Sequence, residues 1–110
     1  MSVRLKIDDK EVTAYLIGDI DHHTARDMRE EIDNCLERNR PRLLNLDFRD
    51  VSFMDSSGIG LVMGRYRLMQ ELDGEVRIYN VSSHIKRVMR LAGLDRLAQI
   101  NGGKRDECVK

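Results

Sequence analysis

The chain has 110 residues, 35% of them charged, and its 19 basic and 19 acidic side chains cancel to a formal net charge of zero. That length supports one hydrophobic core without staples, and the balanced charge offers no basic face of the kind a nucleic-acid binder needs. No apolar run approaches the ~20 residues of a membrane helix, and Met1-Ser2-Val3-Arg4-Leu5-Lys6 lacks the apolar core of a signal peptide.

Val3-Arg4-Leu5-Lys6-Ile7 alternates apolar and charged residues, the period of a half-buried strand. Asp8-Asp9-Lys10 reads as a turn into a second strand with Val12, Ala14 and Leu16 on one face. Gly18-Asp19-Ile20-Asp21 then bends the chain, with Asp21 placed to cap a helix. That helix carries Ala25, Met28, Ile32, Cys35 and Leu36 on one side and stops at Asn39-Arg40-Pro41. Cys35 reads as a small core hydrophobe, and Cys35 and Cys108 have no metal-ligand spacing, so a reduced, cytoplasmic protein is expected.

Arg42 to Phe48 is apolar apart from Asn45 and Asp47, as in a central strand covered on at least one side. A second helix spaces Ile59, Val62, Met63, Tyr66 and Met69 and ends at Asp73-Gly74. Glu75 to Tyr79 alternates as a strand. Ser82 or Ser83 caps a third helix with Ile85, Val88, Met89 and Ala92, and Gly93 suits a left-handed stop. Leu97 to Ile100 is a weak last strand, and residues 101–110 form a polar tail. The order predicts one α/β domain over residues 1–110, its core at about 3–100. In it, helices layer on a small mixed sheet of four or five strands through right-handed crossovers.

The densest chemistry is Asp55-Ser56-Ser57-Gly58-Ile59-Gly60, where a strand gives way to a helix. One cap needs one side chain, yet three capable residues are adjacent. A hydroxyl there faces unpaired N–H groups and the positive end of the helix dipole, which makes Ser56 or Ser57 a candidate phosphate acceptor. Gly58 and Gly60 each cost about 1 kcal/mol of helix propensity relative to alanine, and they leave backbone bare for a partner or phosphate. Gly60 and Gly64, four apart, read as helix-to-sheet packing positions. They match neither Gly-x-Gly-x-x-Gly nor the lysine-bearing phosphate loop.

A second cluster, Gly18 to Thr24, is expected near Asp55 because loops after parallel strands gather at one sheet edge. Its Asp21 reads as a cap, and His22 and His23 as a polar contact surface. Adjacent histidines diverge on a helix, and no His-x-x-x-His or His-x-His pair occurs, so no metal site is expected. No nucleophile has a base with an orienting group, so no enzyme activity is expected. Arg65, Arg67, Lys86, Arg87 and Arg90 read as solvated helix faces or as cations that meet an acidic patch on a partner protein.

The run from Leu46 to Gly60 resembles the signature of STAS domains, the sulfate-transporter and anti-sigma-antagonist family. Gly18-Asp19-Ile20-Asp21-His22-His23-Thr24-Ala25 and Gly64-Arg65-Tyr66 resemble its sporulation antagonists, and Ala92-Gly93-Leu94 resembles the family's Gly-Leu ending to the third helix. The likeness covers roughly residues 3 to 100. Asp19 stands for the common Glu and Ile59 for the common Leu, neither affecting the acceptor. The resemblance implies an anti-sigma factor antagonist with Ser56 as phosphate acceptor. Asp21, His22, His23, Asp55, Ser57, Gly58 and Gly60 are then expected to contact the partner. The implied partners are an anti-sigma factor that is also an ATP-dependent serine kinase and a metal-dependent serine phosphatase. The unphosphorylated form is then expected to release the sporulation sigma factor F, with no cofactor, membrane or nucleic acid involved.

Four other readings bear on the same residues. A general stress sigma factor is the near alternative target. A nucleotide-binding regulator lacks a placed lysine, arginine pair or metal-binding acid. A phosphorelay receiver would need an acidic pair after its first strand and a late lysine, whereas Asp8-Asp9 lies in a hairpin turn. A transporter-borne domain would need hydrophobic spans.

Overall fold

Alternating apolar residues draw five stretches of chain into one sheet. The computed structural model describes residues 2–102. Strands β1 (Val3–Asp8), β2 (Glu11–Ile17), β3 (Leu43–Asp50), β4 (Glu75–Val81) and β5 (Gln99–Gly102) lie side by side in chain order. Helix α1 (His22–Asn39) joins β2 to β3, α2 (Ser56–Glu71) joins β3 to β4, and α3 (Ser83–Leu91) precedes β5. β1 and β2 are antiparallel across Asp9-Lys10, where Asp9 takes φ 32°; every later pair is parallel. Each parallel step moves one place in the same direction, so right-handed crossovers put the three helices on one face.

The residue alternation agrees. Val12, Ala14, Leu16, Leu44, Leu46, Phe48, Val76 and Ile78 are buried, each fully buried large side chain contributing about 1.5–3 kcal/mol. Against them pack Met28, Ile32 and Leu36 of α1, Leu61, Val62 and Met69 of α2, and Ile85 and Met89 of α3. Cys35 is buried as expected, and burial pushes its thiol pKa up. Cys108 and most of the polar tail fall outside the described residues.

The intervening strand positions are polar, and they explain Asn45 and Asp47. Asn45 Nδ2 donates to Thr13 Oγ1 at 3.2 Å and to Glu11 Oε2. Asp47 Oδ2 accepts from Asn80 Nδ2 at 2.9 Å, and its Oδ1 accepts from the Arg49 N–H at 2.9 Å. Asn80 reaches Asp47 because it takes φ 61° at a register shift in β4, which carries that strand two residues past the expected Tyr79.

The C-terminal boundaries also differ from expectation. Gly93, at φ 81°, ends α3 in the left-handed region as predicted. A 3-10 turn over Leu94–Arg96 follows, and the Leu97 and Ala98 N–H groups both bond to Leu94 O. Those groups are lost to any ladder, so the last strand starts at Gln99 rather than Leu97.

Arg65 is the largest correction. It was expected in solvent, but only 5% of it is exposed. It lies between α1 and α2, with Nε 2.8 Å from Asp33 Oδ1, an ion pair of poor hydrogen-bond alignment, and Nη2 donating to Asp33 Oδ2 at 3.2 Å. Nη1 reaches Leu61 O at 3.4 Å. Burial raises the Asp33 pKa and lowers that of Arg65, each against the pull of its partner. The pair therefore orients the helices more than it stabilises them. Asp33→Ala should cost about 3 kcal/mol in urea unfolding because it strands a buried guanidinium. Asp33→Leu combined with Arg65→Met should recover most of that loss.

Candidate partner-binding site

The two chemistry-bearing loops are clamped together. Ile20 forms an isolated parallel bridge with Met54. The Ile20 N–H donates to Phe53 O at 2.8 Å and the Asp55 N–H to Ile20 O at 3.1 Å. Ser52 Oγ donates to Asp19 Oδ1 at 3.0 Å, and the Gly18 N–H donates to Asp50 O at 2.9 Å. The expected proximity of the Gly18–Thr24 segment to Asp55 is thus observed. Both α1 and α2 start from this clamp, so two positive helix ends open on one edge.

Asp21 caps α1. Its Oδ1 accepts from the N–H groups of His23 at 2.9 Å and Thr24 at 3.0 Å, while its own N–H donates to Thr24 Oγ1 at 2.9 Å. This is a reciprocal capping box. The Thr24 N–H bond is the largest influence lowering the Asp21 pKa, followed by opposing desolvation and then the His23 N–H.

Asp55 caps α2 alone, its Oδ1 accepting from the Ser57 N–H at 2.7 Å. Neither serine is needed as a cap. Ser56 is exposed and Ser57 half-buried, and neither hydroxyl has a hydrogen-bond partner among the described residues. Phe53 is 53% exposed one residue before Met54, because Met54 turns into the core and alternation sends Phe53 outward. The exposure of this aromatic is not evident from sequence, because Phe53 and Met54 are adjacent apolar residues and only packing decides which one turns inward.

The glycines divide into two kinds. Gly58 is buried, and a Cβ there would overlap the Met54 thioether, so the expectation of bare backbone at Gly58 is corrected: it lets Met54 pack. Gly60 and Gly64 have open space where a Cβ would stand, so they are not the helix-to-sheet packing positions expected. They line a groove between α1 and α2 with His22, Arg26, Arg29, Ser57 and Arg65. The rings of His22 and His23 lie 4.2 Å apart, tilted by 32°, rather than diverging. At the first two helical positions, no preceding turn directs them.

Two outcomes follow from this geometry. Gly58→Ala should destabilise the fold by about 1–3 kcal/mol through overpacking, whereas Gly60→Ala and Gly64→Ala should each stabilise it by up to about 1 kcal/mol; thermal melts compare all three. Asp21 has a lowered folded-state pKa, so its cap is intact above the ordinary value of 3.8 and is lost as pH falls through the lower folded value. An NMR titration of the Asp21 carboxyl should therefore have its midpoint below 3.8, with the His23 and Thr24 amide signals shifting in step.

Comparison with known proteins places these features. The STAS domain model matches residues 2–103. An anti-sigma F factor antagonist of Paenibacillus polymyxa is 33% identical over 85 residues, covering 77% of this chain and 73% of that protein. An anti-sigma-B factor antagonist of Bacillus subtilis is 26% identical over 101 residues, covering 92% of this chain and 91% of its own. Among solved structures, the anti-sigma factor antagonist SpoIIAA in its unphosphorylated form superposes with a TM-score of 0.82 at 28% identity, covering 97% of this chain and 92% of that one. Bacillus SpoIIAA in the phosphorylated form gives 0.75 at the same identity, with 97% and 96% covered. The fold, the motif at the head of α2 and the matched family model agree, and the chain belongs to the STAS domain family.

Proposed function

We propose that this protein is an anti-sigma factor antagonist, a binding module rather than an enzyme, switched by one phosphoserine. The observation that carries the reading is the division of labour at the head of α2: Asp55 takes the cap, and the Ser56 hydroxyl is left exposed without a partner. The domain works in the cytoplasm, where its unphosphorylated form binds an anti-sigma factor that is also a serine kinase holding ATP or ADP. Docking spans Asp21, His22, His23, Asp55, Ser57 and Gly60, with Phe53 as an apolar anchor. The bound anti-sigma factor lets go of its sigma factor, and the 33% and 32% identities to sigma F antagonists favour F as that factor.

The kinase ends the interaction by chemistry at Ser56. The Ser56 oxygen attacks the γ-phosphorus of ATP and loses its proton, the bond to the bridging oxygen breaks, and ADP leaves. The phosphoserine gains about −1.5 to −2 charges. The α2 N–H groups and dipole tolerate it, so the fold survives. The partner now meets that charge beside Asp55, the exposed Asp19 and the half-buried Asp21. A loss of about 3–4 kcal/mol of binding amounts to several hundredfold in affinity. A metal-dependent serine phosphatase restores the hydroxyl.

Incubation with the anti-sigma kinase and ATP, followed by intact mass and peptide mapping, should find one phosphate, on Ser56. Ser56→Ala should bind the kinase as the unmodified protein does, and Ser56→Asp several hundredfold more weakly. Phosphate elsewhere, or equal affinity of the two variants, sinks the reading.

A further inference from the structure

The groove between α1 and α2 encloses about 450 Å³ and is open along its length. Arg65 on its wall is engaged by Asp33, but Arg26 and Arg29 are exposed and form no hydrogen bond or ion pair with the described residues. Arg29 lies near enough for its charge to reach both Arg65 and Asp33. Asp27, Glu30 and Glu31 of α1 line a separate acidic recess with Asp19 and Asp21. A chain of zero formal net charge thus lines this groove with cations and the neighbouring recess with carboxylates.

Gly60 and Gly64 sharpen the point. Neither touches anything a Cβ would displace, both weaken the helix, and both face this groove. From Ser57 to Arg65 the wall runs about 12 Å along α2 at the rise of a helix, room for about four residues of extended chain. A single small anion would leave most of that length empty.

We infer that this groove seats an extended, acidic segment of the partner, its carboxylates meeting Arg26 and Arg29 and its backbone passing over Gly60 and Gly64. The identity of the partner as an anti-sigma factor rests on the proposed function; the chemistry of the groove does not. Ser57 stands at the end of the groove nearest the head of α2, so a phosphate on the neighbouring Ser56 places like charge where the segment enters.

Calorimetric titration of the anti-sigma factor tests this with three variants. Arg26→Glu combined with Arg29→Glu should weaken binding by about tenfold or more and flatten its salt dependence. Gly64→Leu, which fills the groove without altering charge, should weaken it too, while Arg29→Lys should keep most of the affinity. Circular dichroism and melting check that each variant folds. Wild-type affinity in both the double reversal and Gly64→Leu overturns the groove, even if Ser56→Asp abolishes binding. The converse, weak groove variants with Ser56→Asp binding normally, overturns the phosphoserine switch and leaves the groove standing. If the anti-sigma factor does not bind at all, a hexaglutamate peptide titrated against the NMR signals of Gly60 and Gly64 decides the matter, with hexalysine as control. Shifts with the acidic peptide alone uphold the groove, and no shift at millimolar peptide overturns it.

Discussion

The parallel bridge between Ile20 and Met54 holds the functional edge together. Its two backbone hydrogen bonds, at 2.8 and 3.1 Å, join a loop leaving β2 to a loop leaving β3. Helices α1 and α2 each begin within two residues of it, so their relative placement follows from the clamp rather than from either helix alone. Ile20 and Met54 are themselves buried, at 0% and 5% exposure, which ties the edge to the core. With the backbone anchored at this joint, Phe53 and Ser56 are held outward on a rigid base, the condition for a partner surface that need not reorganise on binding.

Capping at that edge is left to the carboxylates and not to the serines. Asp21 and Asp55 satisfy the first N–H groups of their helices, and both are carboxylates at positive helix ends. A serine used as the cap would lose its structural bond on modification and put helix stability and phosphorylation in conflict. Here the hydroxyl of Ser56 carries no structural bond, so adding a phosphate changes the surface charge without removing a support.

Between the helices, polarity is managed by pairing where it is buried and by openness where it is not. The buried Arg65 faces the half-buried Asp33, and desolvation shifts each toward its neutral form. Above them, Gly60 and Gly64 prevent side chains from closing the gap, and the remaining arginines stay accessible. The same helix α1 thus supplies apolar residues to the core, a carboxylate to the pair and cations to the groove.

Much of this was legible locally. The element order, the Asp21 cap, the left-handed Gly93 and the strand-to-helix motif ending at Gly60 all depend on periodicity and on contacts within four residues, which a sequence displays directly. The family signature lies in those same short runs. What went unread depends on partners distant in the chain. Arg65 looks like any helix-surface arginine until Asp33, 32 positions earlier, is brought beside it. Gly58 and Gly60 look alike until Met54 covers one and leaves the other bare. Asn80 looks like an ordinary strand residue until its bond to Asp47, 33 residues away, is seen. Sequence alone determined the order of strands and helices and where the family motif lies, because those are short-range choices of backbone and period. Tertiary structure decided which charges are buried, which glycines open a groove and which side chains share a surface, because burial and pairing exist only once distant segments meet.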